Sequence, residues 1–181
     1  MEEISRKFSK LRGTAYMRIR PYIECKDYDE IKNWISDERM HAMWCANLIQ
    51  YPIAKENFDK IMREAAERFG DSPYVATTED GMLIGFFCYS ANLETNEGMF
   101  KFVMINPAYR GKGFGKNMLQ LAIKYAFEIT NVDAVHLNVF PENVQAKKCY
   151  EAVGFTERKT DKDAFTYKNE SWGRCNMIIK R

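Results

Sequence analysis

Twelve residues, Ile105-Asn-Pro-Ala-Tyr-Arg-Gly-Lys-Gly-Phe-Gly-Lys116, constrain this chain more than any other stretch. An apolar strand runs into a proline, and a glycine-rich turn then opens an amphipathic helix. Gly111, Gly113 and Gly115 lack a Cβ, so the backbone can turn sharply and bring its N–H groups close to an anion. The helix that follows adds the positive end of its dipole. Arg110, Lys112 and Lys116 flank the turn with fixed positive charge, which suits a phosphate. The spacing therefore predicts a pyrophosphate cradle, although turns of this kind also serve as plain connectors.

The remainder must supply a sheet and helices around that junction. A first strand is expected from Met17 to about Glu24, followed by a helix capped by Asp27 with Tyr28, Ile31, Trp34 and Ile35 as its apolar stripe. A second helical piece spans about 37–46, and there Met40, Met43 and Trp44 read as core packing. A longer helix over 54–69 presents Phe58, Ile61, Met62, Ala65 and Phe69 on one face and stops at Gly70. Strands at 74–78 and 83–91 are joined by Asp80-Gly81, a hairpin signal. The strand over 98–105 carries apolar residues on both faces and is expected to be central.

After the cradle the pattern gives a helix over 113–130 and a strand over 134–140. A short helix over 144–153 follows. The chain closes with strands at about 156–167, interrupted at the charged residues 159–163, and 172–179. This order defines an α+β fold with a mixed sheet. A length of 181 residues suits one domain that buries roughly 70% of its unfolded surface. Five scattered cysteines form no C-x-x-C pair and do not cluster with His41 or His136. That pattern argues against a zinc site or disulfide framework and points to a reducing compartment, the cytoplasm. No run is long enough to span a membrane. Residues 1–20 carry a surplus of +4 against +2 for the whole chain. Residues 1–16 are accordingly read as a basic extension preceding a single domain at 17–181, and no nucleic-acid partner is expected from so short an arm.

Two motifs carry a family resemblance. Arg110-Gly-Lys-Gly-Phe-Gly115 fits an R/Q-x-x-G-x-G/A loop, preceded by Ile105-x-Pro107, and Asn143, Ala146, Tyr150, Gly154 and Phe155 fit N-x-x-A-x-x-x-Y-x-x-x-G-F. With both motifs in this order and a strand between them, the chain resembles the GNAT N-acyltransferase superfamily from about Met17 onward. Residues Tyr167, Asn169 and Trp172 look like the branch of ribosomal-protein N-terminal and spermidine acetyltransferases.

The resemblance implies a mostly antiparallel, splayed central sheet flanked by helices. It also implies acetyl-CoA as co-substrate, with the pantetheine arm between the fourth and fifth strands. The backbone of Val103, Met104 and Ile105 would meet the pantetheine amides and the thioester. Residues Arg110, Gly111, Lys112, Gly113, Phe114, Gly115 and Lys116 would hold the pyrophosphate, and Asn143 would contact the cofactor. Tyr150 would be the general acid, close to the sulfur.

The acceptor would be a primary amine of a small molecule or a peptide N-terminus. Many members of the family carry a carboxylate on the fourth strand, but residues 99–105 contain none. Glu97, at the strand's entrance, is the nearest candidate base, with Glu94 in the preceding turn, His136 as a relay, and deprotonation by water as the further alternative. The missing carboxylate motivates the alternative of a non-catalytic acyl-CoA-binding module. Trp34, Trp44, Tyr51 and Trp172 are candidate acceptor walls that core packing explains equally well. No metal is expected, and the final strands offer an edge for pairing into a homodimer.

Overall fold

The computed structural model describes residues 16–181, so fifteen of the sixteen residues assigned to the basic extension lie outside the described part. Seven strands form one sheet in the order β1-β2-β3-β4-β5-β7-β6. They are β1 (Met17–Pro21), β2 (Ser72–Thr78), β3 (Leu83–Asn92), β4 (Glu97–Ile105), β5 (Ala134–Val139), β6 (Thr156–Tyr167) and β7 (Glu170–Lys180). All neighbours run antiparallel except β4 and β5, which are parallel. The helices are α1 (Glu24–Ile31), α2 (Glu38–Cys45), α3 (Lys55–Phe69), α4 (Phe114–Glu128) and α5 (Val144–Glu151).

Local chemistry sets most element ends. Asp37 caps α2 by accepting from the Met40 amide, and Gly70 closes α3 at φ 67°. Gly81 takes φ 87° in the hairpin between β2 and β3, as the Asp-Gly pair predicts.

Three expectations need correction. The first strand ends at Pro21, and Glu24 and Cys25 are helical, because proline supplies no N–H to extend the ladder. Asp27 sits inside α1 rather than at its cap. It is fully buried, held by both nitrogens of the Arg20 fork at 2.7 Å and by the Ile23 amide at 2.8 Å. Strand β6 runs through its charged segment, which the sheet absorbs as irregular register between Asp161 and Phe165.

Two cores sandwich the sheet. Helices α4 and α5 cover one face, where Phe87, Phe100, Met118, Leu137, Tyr150 and Met177 are buried together. The N-terminal helices cover part of the other, where Trp34, Phe58, Phe86, Cys88 and Met104 are buried. A smaller cluster joins α2 to the far strands through Ala42, Phe140, Tyr167 and Trp172.

Strand β4 occupies the centre and is distorted in two ways. It pairs with β5 only from Glu97↔Ala134 to Phe100↔Leu137, so residues 101–105 separate from the neighbouring strand. On its other edge the register with β3 slips between Phe86↔Met104 and Cys88↔Lys101, a β-bulge that places Phe102 at φ 51°. Trp44 Nε1 donates to the Phe102 carbonyl at 2.8 Å and satisfies the group that the bulge turns out of the ladder.

The bulge also changes which residues face which way. Phe100 joins the α4–α5 core, Lys101 and Phe102 both face the opposite side, and Val103 and Ile105 return to the first.

Candidate active site

The splay between β4 and β5 lies between two different environments. On the α4 side, Gly111 and Gly113 adopt φ 72° and 84°, and a Cβ at either would meet nothing within 4 Å, so the turn is open to a ligand. Gly113 is the N-cap of α4, and no side chain caps that end. The first-turn N–H groups of a 15-residue helix therefore face outward beside Arg110, Lys112 and Lys116.

Neighbouring groups hold the cradle in place. Arg110 Nε donates to the Ile105 carbonyl at 3.1 Å, and Lys112 Nζ donates to that of Ala108 at 2.9 Å. Phe114 packs edge-on against Tyr109. Gly115 matters for packing instead, since a Cβ there would lie 3.3 Å from Cys149 Sγ and 3.4 Å from Ile105 Cγ1. Its absence lets α4 approach β4 and α5 closely. An uncapped helix terminus, a Cβ-free turn and three cations suit a pyrophosphate, so the residues present fit the donor group that the motif implies.

Helix α5 brings the second motif to the same side. Asn143 caps it through Oδ1, which accepts from the Ala146 amide at 3.3 Å, and the side-chain NH₂ is left for a ligand. Tyr150 is buried in the α4–α5 core against Phe155, and burial pushes its pKa up, so the phenol keeps its proton at neutral pH. Val103, Ile105, Phe114, Gly115, Asn143 and Tyr150 thus gather on one side of the splay.

On the opposite side lies a cavity of about 530 Å³ bounded by α2, α3, β4, β5 and β7. Trp44, Phe69, Phe102 and Phe140 wall it, with Met43 and Leu48. A second space of about 350 Å³ adjoins it, sharing Arg68, Phe69, Met99 and Lys101. Of the four aromatic wall candidates only Trp44 lines this space. Trp34 and Trp172 are buried in separate cores, and Tyr51 packs on His41. Met43 and Trp44 do pack against buried clusters, as the sequence reading has it, and their remaining surface lines the cavity, because α2 lies over the splay.

Glu97 lines the smaller space, away from Tyr150, and is not a free carboxylate. Both its oxygens lie 2.9 Å from Arg158 Nη1, and Arg158 Nε donates to Asn176 Oδ1 at 2.7 Å. His136 completes the group, its Nε2 4.0 Å from Glu97 and its Nδ1 3.3 Å from the Asn176 amide nitrogen. Burial lowers the His136 pKa and Arg158 lowers it further, while Glu97 opposes them, so the ring is neutral near pH 7.

Sequence reasoning missed Asp71 and Lys101. Asp71 is buried and receives the Lys101 ammonium at 2.7 and 2.9 Å within the cavity wall. The one available signal was a lone lysine in a strand that is apolar on both faces. Arg158, Asn176 and Arg174 also reach the site from β6 and β7, strands whose sequence carries no motif.

Similarity to known proteins points the same way. The model of the acetyltransferase (GNAT) family matches residues 28–155. A spermine/spermidine N(1)-acetyltransferase of Bacillus subtilis is 26% identical over 128 residues, covering 67% of this chain and 84% of that protein. A spermidine N(1)-acetyltransferase of Vibrio cholerae is 38% identical over 55 residues, 30% of this chain and 32% of the relative's length. The crystal structure of the Vibrio cholerae spermidine N-acetyltransferase in complex with CoA and spermine superposes with a TM-score of 0.77 at 22% identity, covering 91% of this chain and 95% of that one. This last likeness concerns the fold.

Proposed function

This chain belongs to the acetyltransferase (GNAT) family, and from that premise we propose that it moves an acetyl group from acetyl-CoA to a primary amine by direct attack of the amine on the thioester. One observation carries the reading: β4 separates from β5 beyond Phe100, with a cation-flanked glycine turn at an uncapped helix end on one side of the opening and an aromatic-walled cavity on the other. A donor held by the cradle and an acceptor held in the cavity would meet at residues 101–105. Approximation of this kind supplies a large part of the acceleration of acyl transfer.

The residues divide the work by position. Backbone N–H groups at Val103 to Ile105 are suited to bind the carbonyl oxygen as negative charge develops on it, at roughly 3 kcal/mol per preorganised donor. Tyr150, protonated at neutral pH, is suited to donate to the departing sulfur as the C–S bond breaks. An alkyl ammonium of pKa about 10.4 must lose a proton before or during attack. Glu97, beside neutral His136, is the acceptor we assign to that proton; it lies four residues along β4 from the start of the splay, so the transfer would run through water, and Arg158 must release one oxygen for it to act. Five free cysteines support the further reading that the protein works in a reducing compartment, the cytoplasm.

The test is chromatographic measurement of CoA released from acetyl-CoA across polyamines, monoamines, amino acids and peptides with free N-termini. The polyamines belong on the panel because the relatives are named for them. Amine-dependent release is expected. Its absence across the panel, in a protein that still binds acetyl-CoA, would return the chain to a binding role.

A further inference from the structure

We infer that the acceptor is a small monoamine with an aromatic or branched apolar body, rather than a linear polyamine; this rests on the acetyltransferase reading above. The two adjoining spaces are lined by three carboxylates, Glu64, Asp71 and Glu97, and by three cations, Arg68, Lys101 and Arg174. The site carries no surplus of negative charge to collect a polycation.

The two carboxylates nearest β4 are also already engaged. Asp71 takes Lys101 at 2.7 and 2.9 Å, with 2% of its side chain exposed. Glu97 takes Arg158 through both oxygens. An ammonium that displaced Lys101 would leave a second ammonium unpaired inside the wall, and one that displaced Arg158 would have to outcompete a guanidinium held also by Asn176. Glu64 is half-exposed, 3.8 Å from Lys60 and on the same helix as Arg68. A triamine entering this space would meet Arg68, and Arg174 held by Asp161 at 3.4 Å, with Glu64 at the rim as the one lining carboxylate not engaged at close range. Positive groups placed against a competing ligand are a recurrent means of discrimination.

The walls favour the other class. Trp44, Phe69, Phe102 and Phe140 line it with their rings, Phe69 already lying under the Lys101 ammonium at 4.6 Å, and Met43 and Leu48 add apolar surface. A space of about 530 Å³ lies in the range of small-molecule sites lined mainly by apolar groups. Trp44 is oriented by its bond to the Phe102 carbonyl, so its ring is a fixed wall beside the splay. One ammonium over these faces is attracted electrostatically without needing a carboxylate.

The test is kcat/KM of the full chain with saturating acetyl-CoA for 2-phenylethylamine, isoamylamine, spermidine, spermine and a short peptide with an N-terminal Phe. The expected result is a value for 2-phenylethylamine at least about tenfold above that for spermidine, a ratio that one repelled charge supplies readily. Arg68→Glu should move the spermidine-to-phenylethylamine ratio toward spermidine by at least about fivefold. Trp44→Phe should lower kcat/KM for isoamylamine and 2-phenylethylamine alike, because both use the same wall. Spermidine or spermine equal to or better than the monoamines would overturn the inference, as would a preference for the peptide. Turnover of none of the five would overturn the acetyltransferase reading itself and this inference with it, an outcome distinct from polyamine preference.

Discussion

Both carboxylate oxygens of Glu97 lie 2.9 Å from a single guanidinium nitrogen of Arg158, which reaches across from β6 to the start of β4. The same guanidinium donates through Nε to Asn176 on β7. The assigned base is therefore one corner of a charged network spanning strands that are not neighbours. Glu97→Gln should lower kcat by on the order of 10²-fold if the carboxylate takes the amine proton, while acetyl-CoA affinity stays within about twofold. Steady-state kinetics with a direct binding measurement checks this, and an unchanged kcat would remove Glu97 from the reaction.

His136 reports on the same network through its own titration. Arg158→Gln removes a cation that lowers the His136 pKa, so the pKa should rise toward the ordinary value near 6.5. Glu97→Gln removes the opposing charge and should drive it lower. Following the imidazole signals by NMR against pH in each variant tests both signs.

Stability should depend on pH through both histidines. Burial lowers the pKa of His41 and of His136, so the unfolded chain binds protons more readily than the native one. Stability is then fully present above about pH 7 and declines as pH falls through about 6.5 and below. Melting temperature measured from pH 5 to 7.5 should rise with pH, and His136→Gln should flatten part of that slope.

Tyr150→Phe keeps the ring in the core and removes only the phenol. Turnover should fall by roughly 10²-fold while CoA affinity changes by less than about threefold. Equal turnover in the variant would make Tyr150 a packing residue. A parallel melting curve separates a chemical effect from a structural one.

Gly85 and Gly113 should respond differently to alanine. At Gly85 a Cβ would lie 2.6 Å from Met118 Sδ, 2.8 Å from Ile105 Cδ1 and 2.9 Å from the Met104 carbonyl oxygen, so Gly85→Ala overpacks the core at a cost of about 1–3 kcal/mol. At Gly113 the space is open and the burden is the left-handed backbone, about 1–2 kcal/mol for a residue with a Cβ. Gly113→Ala should therefore weaken CoA binding together with a modest loss of stability, whereas Gly85→Ala should show mainly in the denaturation midpoint.

What could be read from the chain alone follows a physical divide. The cradle and the last helix were legible because backbone geometry demands glycine at Gly113, and Asn143 and Tyr150 recur at fixed spacing within one helix. The hairpin at Gly81 and the helix stop at Gly70 were legible for the same local reason. The acceptor side was not. Asp71 and Lys101 are thirty residues apart and Glu97 and Arg158 sixty-one, and each pair joins strands that are not neighbours in the sheet, so only long side chains reaching across the intervening strands bring its members together. Asp27 misled because an acidic residue near a helix start reads as a cap, whereas here it is the buried partner of Arg20.

The irregularity in β4 makes one short segment answer to two masters. Up to Lys101 the odd-numbered residues look toward the cavity under α2 and α3, and beyond Phe102 they look toward the α4–α5 core. Substitution at Met99 is therefore expected to alter the cavity lining while leaving the surface at Val103 and Ile105 unchanged. Deleting a single residue between Phe100 and Met104 would remove the bulge and restore strict alternation, and one run of side chains would then have to serve both faces of the sheet.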